Sequence, residues 1–262
     1  MRCHPEVLRS ASNTRIRALR AVAQGKDRSL ILLEGSRLVG DALSARCQVE
    51  AIFVREDRQD LLLTLPQAQV PCFAVAPALH DRLSTLKQAP PVLALAAPPA
   101  PARIGDLPTS NAPLVLVVAG IADPGNLGAL ARSAEAAGAR LLVHVGGGVS
   151  TGNPKALRGS MGSLLRLPVA PVADAQDAWQ ELDRLGYRQL GAATRGGKTP
   201  ARTDWSGPCA LWITGETGVA PAVMDRLIPI TIPLAAPVES LNATVAASLL
   251  LFAAGRVPGG KV

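Results

Sequence analysis

Aromatic residues make up only 3% of this 262-residue chain, with 3 Phe, 3 Trp and 1 Tyr. So few rings argue against recognition built mainly on base-stacking platforms. Metal-ligand patterns are missing as well. Cys3, Cys47, Cys72 and Cys209 form no CxxC pair, and His4, His80 and His144 are scattered, so zinc-type spacing is absent and no metal is expected. No basic-then-apolar leader opens the sequence, and its apolar runs, such as Leu249 to Phe252, are too short to span a bilayer. The expectation is a cytoplasmic protein without a membrane partner. Gly146-Gly147-Gly148 lacks the spacing of a dinucleotide fingerprint, and no internal repeat is visible.

What remains is a globular composition, 48% hydrophobic and 18% charged. A formal charge of +7 favours a polyanionic partner. The excess is uneven: Arg2, Arg9, Arg15, Arg17, Arg20, Lys26 and Arg28 face only Glu6 and Asp27 among the first thirty residues. Phosphate neutralisation and a solvated helix face both account for such a run.

Pro98-Pro99-Ala100-Pro101 opens an aperiodic stretch ending before Pro113. Pro-dense segments make semi-rigid connectors, so we divide the chain into 1–97, a linker 98–112 and 113–262. The first part reads as a small α/β domain. Asn13 caps a helix with Ile16, Leu19 and Ala23 on one face, and a second helix follows Gly35. Strands are expected at 49–54, 70–75 and 92–95, with a helix at 79–86. The second part alternates more regularly. Strands are expected at 114–119, 141–145, 188–193, 210–214 and 230–234. Helices are expected at 127–137, 155–163, 175–185 and 221–226, and after Asn242. This order indicates a mostly parallel sheet covered on both faces.

Three strand-to-helix junctions carry the chemistry, because open parallel sheets bind ligands there. At the first, Asp123-Pro124-Gly125 forces a turn before Asn126-Leu127-Gly128-Ala129, with Arg132 two turns on. Asn126 is either a helix cap or part of an anion site. At the second, Thr214-Gly215-Glu216-Thr217-Gly218 follows a buried run and offers one carboxylate beside permissive glycines. At the third, Ile232-Pro233-Leu234 precedes Val238-Glu239-Ser240-Leu241-Asn242-Ala243. Ser240 and Asn242 are both good caps, and capping accounts for only one of them.

Together these stretches resemble the three signature motifs of the SpoU/TrmH family of RNA ribose 2′-O-methyltransferases. Asn126, Gly128, Arg132 and Gly138 match the pattern Asn-x-Gly-x-x-x-Arg followed, after five intervening residues, by Gly. The family's second motif is usually Gly-x-Glu-Gly-x-Gly-Leu. Here the loop is one residue shorter after Glu216, and Thr214 stands where glycine is common. Asn153 to Gly162 resembles the segment before the third strand of the family's catalytic domain, with Lys155 and Arg158 as phosphate contacts or solvated charges. The stretches 13–17 and 31–39 look like the start of a ribosomal-protein-like RNA-binding domain.

The resemblance implies an α/β protein. Its C-terminal sheet would be mostly parallel and carry a deep trefoil knot, behind a smaller N-terminal domain that grips RNA. It implies a homodimer and methyl transfer from S-adenosylmethionine to a ribose 2′-hydroxyl, with ribosomal RNA favoured. The alternatives are a transfer-RNA methyltransferase and a non-catalytic RNA-binding member. By resemblance, Asn126, Arg132, Glu216, Ser240 and Asn242 are catalytic, while Thr194, Gly215, Ile232 and Leu241 hold the cofactor. Arg132 as a general base would require loss of a proton that guanidinium groups ordinarily keep. Arg132 as a phosphate and alkoxide partner would not.

Overall fold

A computed structural model describes residues 4–66, 69–107, 113–215 and 221–255. The chain forms two compact units, one of residues 1–99 with 152–166 and one of 100–151 with 167–262.

Unit 1 holds a five-stranded mixed sheet. Its elements are β1 (His4–Leu8), α1 (Thr14–Ala23), β2 (Ile31–Glu34), α2 (Ser36–Ser44), β3 (Val49–Arg55), β4 (Cys72–Val75), α3 (Pro77–His80) and β5 (Val92–Ala96). The strand order is β1-β4-β3-β5-β2. Asn13 caps α1 by accepting from the Arg15 N–H, and Ile16, Leu19 and Val22 are the buried face. Ala23, expected on that face, packs against the same cluster while only partly buried. The helix expected at 79–86 is only the single turn of α3. Beyond it Ser84 and Thr85 turn to bind Glu34. Such side-chain bonds to a neighbouring strand compete with helix propagation.

Among its described residues unit 2 is built on six strands, all parallel. β6 (Leu114–Ala119) leads to α4 (Pro124–Ala136) and β7 (Leu141–Val145). The chain then enters unit 1 as α5 (Pro154–Ser160) and α6 (Ser163–Arg166), and it returns at β8 (Val169–Val172). There follow α7 (Ala175–Arg184), β9 (Arg188–Ala192), β10 (Cys209–Thr214), α8 (Pro221–Met224), β11 (Ile228–Ile230) and α9 (Ala243–Ala253). The order is β11-β9-β10-β6-β7-β8, with every pairing parallel. The central strand β6 is apolar throughout, and β10 is apolar up to its last residue, Thr214, because both faces are covered.

Both edge strands carry proline, Pro171 in β8 and Pro229 in β11. A missing N–H is tolerated only at an edge, where it also discourages further pairing. The same prolines weaken the strand signal. β8 was not expected, and β11 stops at Ile230 where 230–234 was expected.

Two further boundaries differ from the sequence expectation. The helix expected at 155–163 is split because Met161 and Gly162 adopt left-handed backbone, with φ of 50° and 84°. A side chain at Gly162 would also collide with Asp41 and Arg166. Within the expected linker, residues 100–107 belong to unit 2. Ile104 and Leu107 are buried in its core, and the Ala102 N–H donates to the Val169 carbonyl.

Candidate functional site

Because every strand of unit 2 runs the same way, the segments leaving β6, β9, β10 and β11 emerge at one edge of the sheet. After β6, Asp123 accepts from the Asn126 N–H at 2.9 Å, and α4 starts at Pro124. The cap is therefore Asp123, and Asn126 stands one turn inside the helix. Its half-buried side chain makes no hydrogen bond among the described residues, which leaves its amide available to a ligand. Arg132 is exposed on α4 and has no hydrogen-bond or ion-pair partner among the described residues.

After β10, the Gly215 N–H donates to the Ala119 carbonyl at 2.8 Å. A Cβ at Gly215 would overlap the Gly120 carbonyl oxygen, so the two chain segments pass at a separation only glycine permits. Glu216 lies outside the described residues.

Between the ends of β9, β10 and β11 and the first turns of α9 is a cavity of about 210 Å3. Ala192, Ile213, Ile230 and Leu250 supply apolar walls, and Thr194 and Ser240 supply hydroxyls. Ile232 and Leu241 also line it. Thus Thr194, Ile232, Ser240 and Leu241, from two distant stretches of sequence, come together, with Gly215 directly after the lining residue Thr214. Asn126 and Arg132 are not on its wall. Asn242 is the α9 cap: its Oδ1 accepts from the N–H groups of Thr244 at 2.8 Å and Val245 at 3.4 Å. Ser240 is thereby free of the capping role.

α4 and α9 pack together, with the Ser133 and Ser248 hydroxyls 2.7 Å apart. The outer side of α9 carries Val245, Leu249 and Phe252 at helical spacing, 48%, 50% and 56% exposed. Apolar exposure in register along one helix is an association signal, unlike scattered surface residues. No composition or motif reading reached it, although the i, i+4, i+7 spacing was legible.

In unit 1, Arg15 stacks over the Phe73 ring at 4.5 Å. The sequence left Arg158 between an RNA contact and a solvated charge. The structure gives it an intramolecular role: its guanidinium binds Glu34 and Thr85. Among the described residues no group of three His, Cys, Asp or Glu side chains could hold a metal, and no helix is long and apolar enough to cross a membrane.

The fold and site define an α/β protein with a cavity at the open edge of a parallel sheet. Residues 113–252 match the family model described as the SpoU rRNA Methylase family, and the chain belongs to that family. Similar proteins include the 23S rRNA (guanosine(2553)-2′-O)-methyltransferase RlmP of Bacillus subtilis, 27% identical over 94% of this chain and 97% of that protein. A 23S rRNA (uridine(2479)-2′-O)-methyltransferase of Streptomyces viridochromogenes is 32% identical over 76% of this chain and 70% of that one. Among solved structures, the SpoU methyltransferase AviRb from the same organism, in complex with AdoMet, superposes with a TM-score of 0.81. It is 27% identical and covers 93% of this chain and 97% of that one.

Proposed function

We propose that the protein is an S-adenosylmethionine-dependent methyltransferase acting on a ribose 2′-hydroxyl of large-subunit ribosomal RNA. The observation that carries this reading is the cavity joining Thr194, Ile232, Ser240 and Leu241 in a chain of the SpoU family. Its walls suit the cofactor. Small side chains at Ala192, Ala243 and Ala246 leave a slot for a flat apolar ring, and the Thr194 and Ser240 hydroxyls can serve polar atoms. When bound, the cofactor supplies an electrophilic methyl group. The knot is carried with this assignment as a family trait, as is a cytoplasmic location for a ribosomal RNA enzyme.

The residues of the chain do the rest. A ribose hydroxyl is a weak nucleophile, so the site must hold its oxygen in line and favour the charge it gains. Arg132 supplies a guanidinium that binds phosphate and stabilises the developing alkoxide, with Asn126 steadying it. Ser240 Oγ and Asn242 Nδ2 hold the RNA backbone, since Asn242 Oδ1 is occupied by the cap. Gly215 and the Leu241 backbone contact the cofactor, and Glu216 is retained as the carboxylate of its loop. The basic residues of α1 bind RNA phosphate. The row Val245, Leu249, Phe252 joins two copies into a dimer.

The test is transfer of labelled methyl from S-adenosylmethionine to ribosomal and transfer RNA, with Arg132→Ala alongside. Label expected in ribosomal RNA should appear in an alkali-resistant dinucleotide. It should fall by roughly 10²–10³-fold in the variant, the scale of losing one transition-state donor. Failure to bind S-adenosylhomocysteine, or label confined to transfer RNA, would overturn the assignment.

A further inference from the structure

A second cavity of about 300 Å3 adjoins the first and shares Thr194, Ile232, Leu234 and Glu239 with it. Its volume is at the low end for small-ligand sites, about 300–1,000 Å3. One wall is the loop 194–198 and the other is the loop 231–239. The first is pinned to β11 on both sides of Arg195. Ala193 N–H donates to the Ile230 carbonyl at 2.8 Å, Lys198 N–H to Pro229 at 3.2 Å, and Thr231 N–H to Lys198 at 2.9 Å. The Gly197 N–H donates to Thr231 Oγ1 at 2.9 Å, and a Cβ at Gly197 would strike the Pro229 backbone. Arg195 therefore projects from a short, firmly mounted tip.

Across the cavity Arg195 Nη2 stands 4.0 Å from Glu239 Oε1, and both side chains are 84% exposed. At that distance the two groups attract but make no hydrogen bond. An exposed pair of this kind is worth little, so separating it costs little. Its donors and acceptors remain available to a guest. Pro233, Pro237 and Val238 add apolar surface.

We propose that this second cavity receives the base of the nucleotide to be methylated and reads it as guanine. This rests on the methyltransferase reading, because the acceptor must lie beside the methyl donor and the two cavities share a wall. Guanine alone has two adjacent donors, N1–H and N2–H, with no acceptor between them, and these match the two oxygens of Glu239. Its O6 and N7 lie next to those donors and match the Arg195 guanidinium, a common bidentate pairing. Adenine and cytosine would place a ring-nitrogen lone pair against the carboxylate. Uracil offers one donor between two acceptors.

The full-length protein should be titrated with GMP, AMP, CMP and UMP, with and without S-adenosylhomocysteine, while methyl resonances of Val238 and Leu250 are followed by NMR. Val238 lines only the second cavity and Leu250 only the first. GMP is expected to move Val238 and to bind roughly tenfold more tightly than the other three, as one good bidentate pair allows. Arg195→Ala should remove most of that preference without changing S-adenosylhomocysteine affinity, and Val238→Trp should block GMP. If S-adenosylhomocysteine fails to bind but GMP behaves as described, the methyltransferase reading falls and the base site stands. If S-adenosylhomocysteine binds but GMP moves Leu250 alone, or all four nucleotides bind alike, the base site falls and the enzyme reading stands.

Discussion

The carboxylate of Glu34, at the end of β2, is fully buried and ion-paired with Arg158 on α5, 124 residues further along the chain. It also accepts from Ser84 Oγ at 2.6 Å, Thr85 N–H at 2.8 Å and Thr85 Oγ1 at 2.6 Å. This cluster fastens the segment 152–166 into unit 1. Arg158→Met is expected to destabilise the protein by about 3 kcal/mol, because a buried charge loses its counter-ion. Glu34→Gln combined with Arg158→Met should recover part of that loss, because a neutral amide removes the buried charge and keeps an acceptor for the Thr85 N–H. Urea unfolding of the single and double variants checks this. A single variant as stable as wild type would show that the pair contributes nothing.

Capping and chemistry at Asn242 can be separated. Asn242→Ala should cost about 1 kcal/mol through loss of the α9 cap, whereas Asn242→Ser keeps the cap. Both should lose methyl transfer if Nδ2 holds RNA. Thermal unfolding and transfer assays, run together, distinguish the roles, and full transfer by Asn242→Ser would reduce Asn242 to a cap.

Acid should weaken the fold through two buried imidazoles. Burial pushes both His80 and His144 below the ordinary histidine value, and around His80 the charges of Asp81 and Arg55 oppose one another. The unfolded chain takes up these protons near about pH 6.5, and the folded chain only at lower pH. The unfolded state therefore binds more protons in that window, and stability falls as pH drops through it. Urea midpoints measured between about pH 7 and pH 5 should decline, and the decline should be shallower in His80→Leu and His144→Leu. A slope unchanged by both substitutions would rule the imidazoles out as its source.

The exposed α9 row should govern assembly. Sedimentation is expected to give a dimer for the wild type and a monomer for Leu249→Asp or Phe252→Asp, because a charge at the centre of an apolar contact has no partner there. A monomeric wild type, or dimeric variants, would reject that face as the interface.

Much of unit 2 is legible in the amino-acid sequence. β6 and β7 fall on their expected residues because central parallel strands are short, valine- and leucine-rich runs bounded by turns, and their length and β-branched content favour strand over helix. The edge strands are not legible in the same way, since their prolines point against a strand until an edge position is known. Four of the site residues, Thr194, Ile232, Ser240 and Leu241, stand out in local strings and meet in one cavity.

The local sequence determined the alternation of elements, the strand-to-helix junctions and the residue types available there. Those depend on periodicity and turn chemistry within a few residues. Tertiary structure decided which competing use each residue serves. Asp123 takes the α4 cap and releases Asn126, Glu34 claims Arg158, and a pinned loop brings Arg195 to Glu239. Such choices depend on partners distant in sequence, and only packing specifies which of them a side chain can reach.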